Sequence, residues 1–279
     1  MKLLRYKEDR LPVAIILSIF ASDLWVYFTV TNYWVLAAWI SFALAAKIFI
    51  ASWNHHHQHV HTFTREVLNR LLEIVYTFHT GITTNVWVLH HNLGHHVNYL
   101  DQTKDESGWK RASGKTMGAF EYTVTTGLTG YLRAFRVGRR YPKHLKKCKS
   151  MGIVNLILLG CLTWHNPTNA LLVFLLPMTL IYFGTCWFTY YHHAGLDTED
   201  PFKASHNITN KFYNLLSGNL GYHTAHHLKQ GLHWSKLPEL HKSIEHKIPS
   251  ELIDPSFPVF SWLLNTSKSN EVSQGIESE

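Results

Sequence analysis

Four apolar runs decide what this chain can fold into. Residues 11–30 form a nearly continuous apolar stretch interrupted by Asp23. Residues 33–53 form a second, with one charge, Lys47, near its C-terminal end, where a long stem can carry an ammonium out to an interface. Residues 151–164 and 170–191 make a second pair, separated by HNPTN. About 20 apolar residues are needed to cross roughly 30 Å of hydrocarbon. The first, second and fourth runs meet that length, and the third meets it only if its helix starts before Met151. The pattern predicts an all-α integral membrane protein with four transmembrane helices in two hairpins. A mean hydropathy of −0.09 averages these spans with a polar remainder and does not argue for a soluble protein.

Charge predicts the orientation. The segments TNY and HNPTN, which join the arms of each hairpin, carry no Lys or Arg. The N-terminus carries Lys2, Arg5, Lys7 and Arg10, and the middle segment carries Arg133, Arg139, Arg140, Lys143, Lys146, Lys147 and Lys149. Basic loops stay inside, so both termini and the middle segment are expected on the cytoplasmic side, in a bacterial cytoplasmic membrane. The first run is too long for a signal-peptide core and lacks a small-residue cleavage site, so it is expected to be retained. The basic stretch is expected to meet anionic membrane lipids, with an acidic protein or a carrier phosphate as the alternative partner. Residues 67–88 and 117–135 have helical spacing and are expected along the membrane surface as part of a cytoplasmic helical cap. Cys161 and Cys186 fall in spans and Cys148 in the basic loop, which makes neither a disulfide framework nor a metal motif. Residues 1–264 read as one membrane domain and residues 265–279 as a loose polar tail. No repeat, Gly-rich phosphate loop or nucleic-acid motif is present in the sequence.

Histidine supplies the chemistry. Three clusters read NHHHQHVH from Asn54, HHNLGHH from His90 and HTAHH from His223, and His193 stands apart in YYHHAGL. Imidazole is a strong ligand for iron, zinc, copper and nickel. Positions three and four apart share a helix face. His55 and His59 are four apart, His91, His95 and His96 follow H-x3-HH, and His223, His226 and His227 follow H-x2-HH. With His193 these nine donors suffice for two metal ions that keep positions open. His57 and His61 are also four apart and serve equally on spacing. The second and fourth runs both end beside histidine and both run toward the cytoplasm, so all nine donors can converge just outside the bilayer. Surface histidines or a metal-handling loop would account for one cluster, but not for three spaced ones.

These motifs resemble the membrane fatty acid desaturase and hydroxylase superfamily over residues 53–241. HHNLGHH is similar to the second histidine box of the alkane hydroxylase branch. YYHHAGL resembles that branch's fourth motif, and GYHTAHHLKQGLHWSKLPELH resembles the third box with its downstream leucine-proline pair. The resemblance implies two non-haem iron ions, dioxygen as co-substrate and a separate electron donor such as ferredoxin with its reductase. It assigns His55, His59, His91, His95, His96, His193, His223, His226 and His227 as ligands. It implies that His56, His90 and His192 support the ligands or face solvent, and that His206, His233 and His241 are structural or hydrogen-bonded to the ligands. The family's fourth motif begins with asparagine where this chain has Thr189, a hydroxyl that replaces the amide only in part. Glu66, Asp101 and Asp105 are the nearest acids to the boxes, and none lies inside one.

The expected activity is oxygen-dependent desaturation of a fatty acyl chain. Fatty-acid or alkane hydroxylation, oxidative decarboxylation to a terminal alkene, and carotenoid ketolation or hydroxylation are the alternatives within the same chemistry. A metal transporter would need ionisable residues along a path, and within the runs only Asp23 and Lys47 qualify. A zinc hydrolase fits poorly without an HExxH motif.

Overall fold

A computed structural model describes residues 2–258, so the expected tail at 265–279 lies outside the described residues. Helix α1 spans Arg10–Thr29 and α2 spans Tyr33–His59. Asn32 caps α2 by accepting from the backbone N–H groups of Trp34 and Val35. Helix α3 is Glu66–Thr80, α4 is Ala119–Gly138 and α5 is Pro142–His165. Helix α6 runs over Pro167–His193 with a π-helical insert at Ala170–Leu175. Short helices α7 (Lys211–Ser217), α8 (His223–Leu228) and α9 (Leu237–Ile244) follow. Two parallel strands of two residues each, β1 (Asn207–Ile208) and β2 (Ile253–Asp254), tie the segment before α7 to the end of the described chain.

Three helices are long and apolar enough to cross a membrane: α1 with the turn before it (Lys7–Thr29), α2 and α6. Helix α5 does contain the third apolar run and does start before Met151. Its first third, however, carries Lys143, Lys146, Lys147 and Lys149, which removes it from that class by composition. The basic stretch is therefore the end of α4, a turn and the start of α5, not a loop, and Cys148 is buried on α5. Large apolar side chains point outward from all four long helices, among them Trp25, Phe42, Leu156 and Leu180.

The expectation for Lys47 is corrected. It does not reach an interface, because α2 continues another three turns to His59. It is fully buried and pairs at 2.9 Å with the equally buried Asp23 of α1. Asp23 also accepts from the Trp39 indole at 3.0 Å, and Lys47 donates to the Val173 carbonyl inside the π-helical insert of α6 at 3.4 Å. One buried ion pair thus joins three helices, as apolar surroundings demand of any charge they hold. The start of α6 is tied to the end of α1, where Asn169 donates to the carbonyls of Tyr27 and Val30.

The region expected as a surface helix at 67–88 is shorter and deeper. Helix α3 buries Asn69, Leu72, Glu73 and Tyr76 against its neighbours and stops at Gly81. That glycine has φ 70°, and a Cβ there would stand 2.6 Å from the Met178 carbonyl oxygen. The close approach of α3 to α6 turns the chain toward the second histidine cluster.

Candidate metal centre

Four elements deliver nine histidines to one place. The C-terminal turn of α2 supplies His55 and His59, a π-helical segment (Val88–His95) with the residue after it supplies His91, His95 and His96, the last turn of α6 supplies His193, and α8 supplies His223, His226 and His227. All are buried except His59, which is partly so.

Their Nε2 atoms form two groups. In the first, His55 stands 3.0 Å from His59 and 2.9 Å from His91, His91 stands 3.0 Å from His96, and His96 stands 3.0 Å from His226. In the second, His193 stands 3.3 Å from His95 and 3.0 Å from His223, which is 3.2 Å from His227. The groups adjoin, since the rings of His96 and His227 stack with centroids 4.2 Å apart.

The second cluster is sorted in a way that α-helical spacing does not anticipate. The segment winds as a π-helix, with the His96 N–H donating to the His91 carbonyl five residues back. His91 and His96 therefore share a face and join one group, while His95 turns to the other. Helix α8 splits conventionally: His223 and His227, four apart, face the second group and His226 the first.

Proton positions show why such an arrangement calls for cations. His193 Nδ1 contacts the Ala204 carbonyl at 2.8 Å, and a carbonyl only accepts, so the proton is on Nδ1 and Nε2 carries a lone pair. His95 Nδ1 donates to both oxygens of Asp105, at 2.8 and 3.0 Å, with the same result. These two bare lone pairs face each other at 3.3 Å. Such a contact is repulsive unless a positive ion lies between them. Two nitrogens each about 2.1 Å from one ion and at right angles would stand about 3 Å apart, the spacing observed throughout. Burial holds the imidazoles of His91, His96, His223, His226 and His227 well below their ordinary range, and their histidine neighbours act in the same direction. They are neutral at pH 7 and free to ligate. A metal pair fits this donor set.

Supporting contacts were largely invisible in the sequence. Asp105, singled out only as a nearby acid, anchors His95 and is itself fixed by the Ser107 N–H at 2.7 Å. Asn207 accepts from the Thr224 N–H at 3.0 Å and donates to the Thr224 hydroxyl at 2.8 Å, which sets the start of α8. Gly221 is required just before it, because a Cβ there would stand 2.2 Å from the Ile208 carbonyl oxygen. His56 donates to the Ser217 carbonyl at 3.1 Å, and Trp87 stacks on His55. His192 stacks on His223 with centroids 4.0 Å apart.

The remaining candidates lie elsewhere. His57 on α2 and His61, two residues past its end, approach Glu73 and form a separate group with it. His57 Nδ1 accepts from the Thr62 N–H at 3.3 Å, so its proton sits on Nε2, facing Glu73 at 3.5 Å, and that nitrogen is a donor rather than a ligand. The Thr189 hydroxyl donates to backbone carbonyls one turn before His193. The backbone N–H of His206 donates to the His192 carbonyl, and its ring joins neither group. His233 contacts Asp9 at 3.1 Å and stacks on Tyr6, fastening the N-terminus to the segment before α9. Glu66 pairs with Arg70 and Lys147, and Asp101 with Lys104.

Beside the histidines lies a cleft. Its walls include Ile48, Phe49, Ala51, Phe188 and Leu220, and His55, His91, His95, His193 and His223 line it as well. The family model for fatty acid desaturase matches residues 12–253 of the chain. No curated protein and no solved structure matches it.

Proposed function

The chain belongs to the fatty acid desaturase family, and from that premise we propose that it removes two hydrogens from a fatty acyl chain, with dioxygen as oxidant, and leaves a carbon–carbon double bond. The observation that carries this reading is the apolar cleft lined by both histidine groups. His55, His59, His91, His96 and His226 would hold one iron ion, and His95, His193, His223 and His227 the other. Iron bound there would supply the activation of dioxygen, chemistry that belongs to the metal rather than to the polypeptide.

The polypeptide positions the substrate and keeps water out. Ile48, Phe49 and Phe188 hold the chain, and the buried histidines fix where along it reaction occurs. Asp105 and the Ala204 carbonyl keep His95 and His193 in the ligating tautomer. Overall, dioxygen leaves as two waters, having taken two electrons and two protons from the two C–H bonds, two electrons from an external donor and two protons from solvent. Such a donor, ferredoxin-like, would be an acidic protein meeting the cytoplasmic basic face. A groove lined by Arg133 and Arg136 supports that approach, because Asp105 also lines it and holds His95 on its inner side. In this reading α5 is the fourth span, its lysines lying at the cytoplasmic headgroups and its apolar two-thirds in the bilayer.

Hydroxylation is the second reading, favoured by the YYHHAGL and HHNLGHH motifs. The same hydrogen abstraction leads to an alcohol when oxygen returns to the carbon. Product analysis under oxygen-18 gas, with fed fatty acids and a ferredoxin reductant chain, separates the two. An unlabelled alkene of unchanged chain length is expected. A labelled alcohol would establish the second reading, a hydrocarbon one carbon shorter would establish decarboxylation, and oxidation of a carotenoid alone would defeat the acyl substrate.

A further inference from the structure

The cleft beside the histidines is closed on its polar side. Every histidine that lines it is buried, and so are Trp87, Ser107, Tyr213 and Leu220. The lining residues that keep some surface are Ile48, Phe49 and Ser52 on α2 and Thr185, Phe188 and Thr189 on α6. The cleft therefore reaches the surface along the seam between two helices that are both long and apolar enough to cross a membrane. At a rise of about 1.5 Å per residue, Ile48 and Ser52 lie about 22 and 28 Å along α2 from Tyr33. By the same measure Thr185 and Phe188 lie about 27 and 31 Å along α6 from Pro167. A hydrocarbon layer is roughly 30 Å thick, so the opening meets its edge on the histidine side. Gly184 leaves the seam unfilled, since outside its own helix only Ile48 Cδ1, at 3.1 Å, comes within 4 Å of where a Cβ would stand.

Helix α7 forms a lip of the same opening. Its Tyr213 lines the cleft, and the Trp53 indole of α2 donates to its Leu216 carbonyl at 3.0 Å. Phe212 and Leu215, three positions apart and so on one face, are 60% and 72% exposed. A pair of large apolar side chains turned outward beside an apolar mouth calls for an apolar surrounding, which a leaflet provides and water does not. Among the described residues no Lys or Arg lines the cleft, so nothing in it would hold the phosphate of a soluble carrier.

We propose that the cleft opens sideways into the leaflet, and that the protein takes its substrate from lipid dissolved in the bilayer rather than from a water-soluble carrier. The proposal rests on the reading of the cleft as the acyl site. Photolabelling of the full-length protein in vesicles of phosphatidylcholine and phosphatidylglycerol tests it without turnover. The probe is a fatty acid with a diazirine on its chain. It is supplied either as the free acid dissolved in the vesicle or as the thioester of a soluble acyl carrier protein, which shields the chain from the bilayer. The free acid should label the buried cleft residues Tyr213 and Leu220, and the carrier thioester should not. Gly184→Leu fills the seam and replaces no histidine or cleft-lining residue. It should remove most of that label while outward-facing Phe42 and Leu156 are labelled as before, which shows the variant to be inserted and folded. With the native cysteines replaced, a nitroxide on Leu215→Cys should collide with dissolved oxygen rather than with an aqueous nickel chelate. The opposite preference, or shielding from both as a covering protein surface would give, would overturn the proposal. Cleft label from the carrier thioester at equal or greater yield, or label undiminished in Gly184→Leu, would overturn it too. Absence of cleft label from either source would instead overturn the acyl cleft itself.

Discussion

At the scale of single residues, identical side chains take opposite roles according to which nitrogen holds the proton. His55 and His57 sit two positions apart on α2, yet one turns a lone pair toward other histidines and the other turns its proton toward Glu73. Alanine at His91, His96, His193 or His226 should abolish turnover and lower an iron content otherwise near two per chain. His57→Phe should leave iron content close to that of the unaltered protein. Elemental analysis settles both, and a single zinc with activity indifferent to these substitutions would remove the iron assignment. Asp105→Asn should lower iron affinity or turnover by roughly 10- to 100-fold, because an amide no longer enforces the Nδ1–H tautomer of His95. Retention of full iron and rate in that variant would make Asp105 merely structural. The nine donors were legible in the sequence because helical spacing marks them. Asp105 was not, because nothing ten residues downstream of His95 signals that the loop between them folds back.

At the scale of elements, the sequence carried the places of the apolar helices well and their ends and winding poorly. The apolar runs gave α1, α2 and α6 their places, and the lysines at the start of α5 explain why that helix differs from the other three. The π-helical winding at Val88–His95 has no local signature, and it exchanges the partners of His91 and His95. Lys47 was misjudged for a related reason: the apolar run ends at Trp53, but the helix does not, so the ammonium lies deeper than the pattern suggests. Its pairing with Asp23 gives a test. Lys47→Met alone should destabilise the protein by about 3–5 kcal/mol by leaving a buried carboxylate unpaired, and Lys47→Met with Asp23→Leu should restore most of that loss. Thermal denaturation in detergent measures it, and a double variant no more stable than the single would mean that contacts of Asp23 other than Lys47, with Trp39 at 3.0 Å and His79 at 3.6 Å, carry the stability.

For the whole molecule, the proposed topology puts the histidines and the turn after α4 on one side of the membrane and the two hairpin tips on the other. With the native cysteines replaced, a cysteine at exposed Arg139 should react with an impermeant maleimide only from the cytoplasmic side. Cysteines at Tyr33 and Thr168 should react only from outside, and labelling of position 139 in intact cells would contradict the arrangement. The convergence of donors from His55 to His227 has a further consequence, for biogenesis. Neither group can close while the ribosome still holds the segment that becomes α8, although the first hairpin can already be inserted. In the proposed diiron reading metal loading is then a late maturation event, separate from insertion, and cells short of iron should accumulate an inserted precursor whose α8 segment is open to proteolysis.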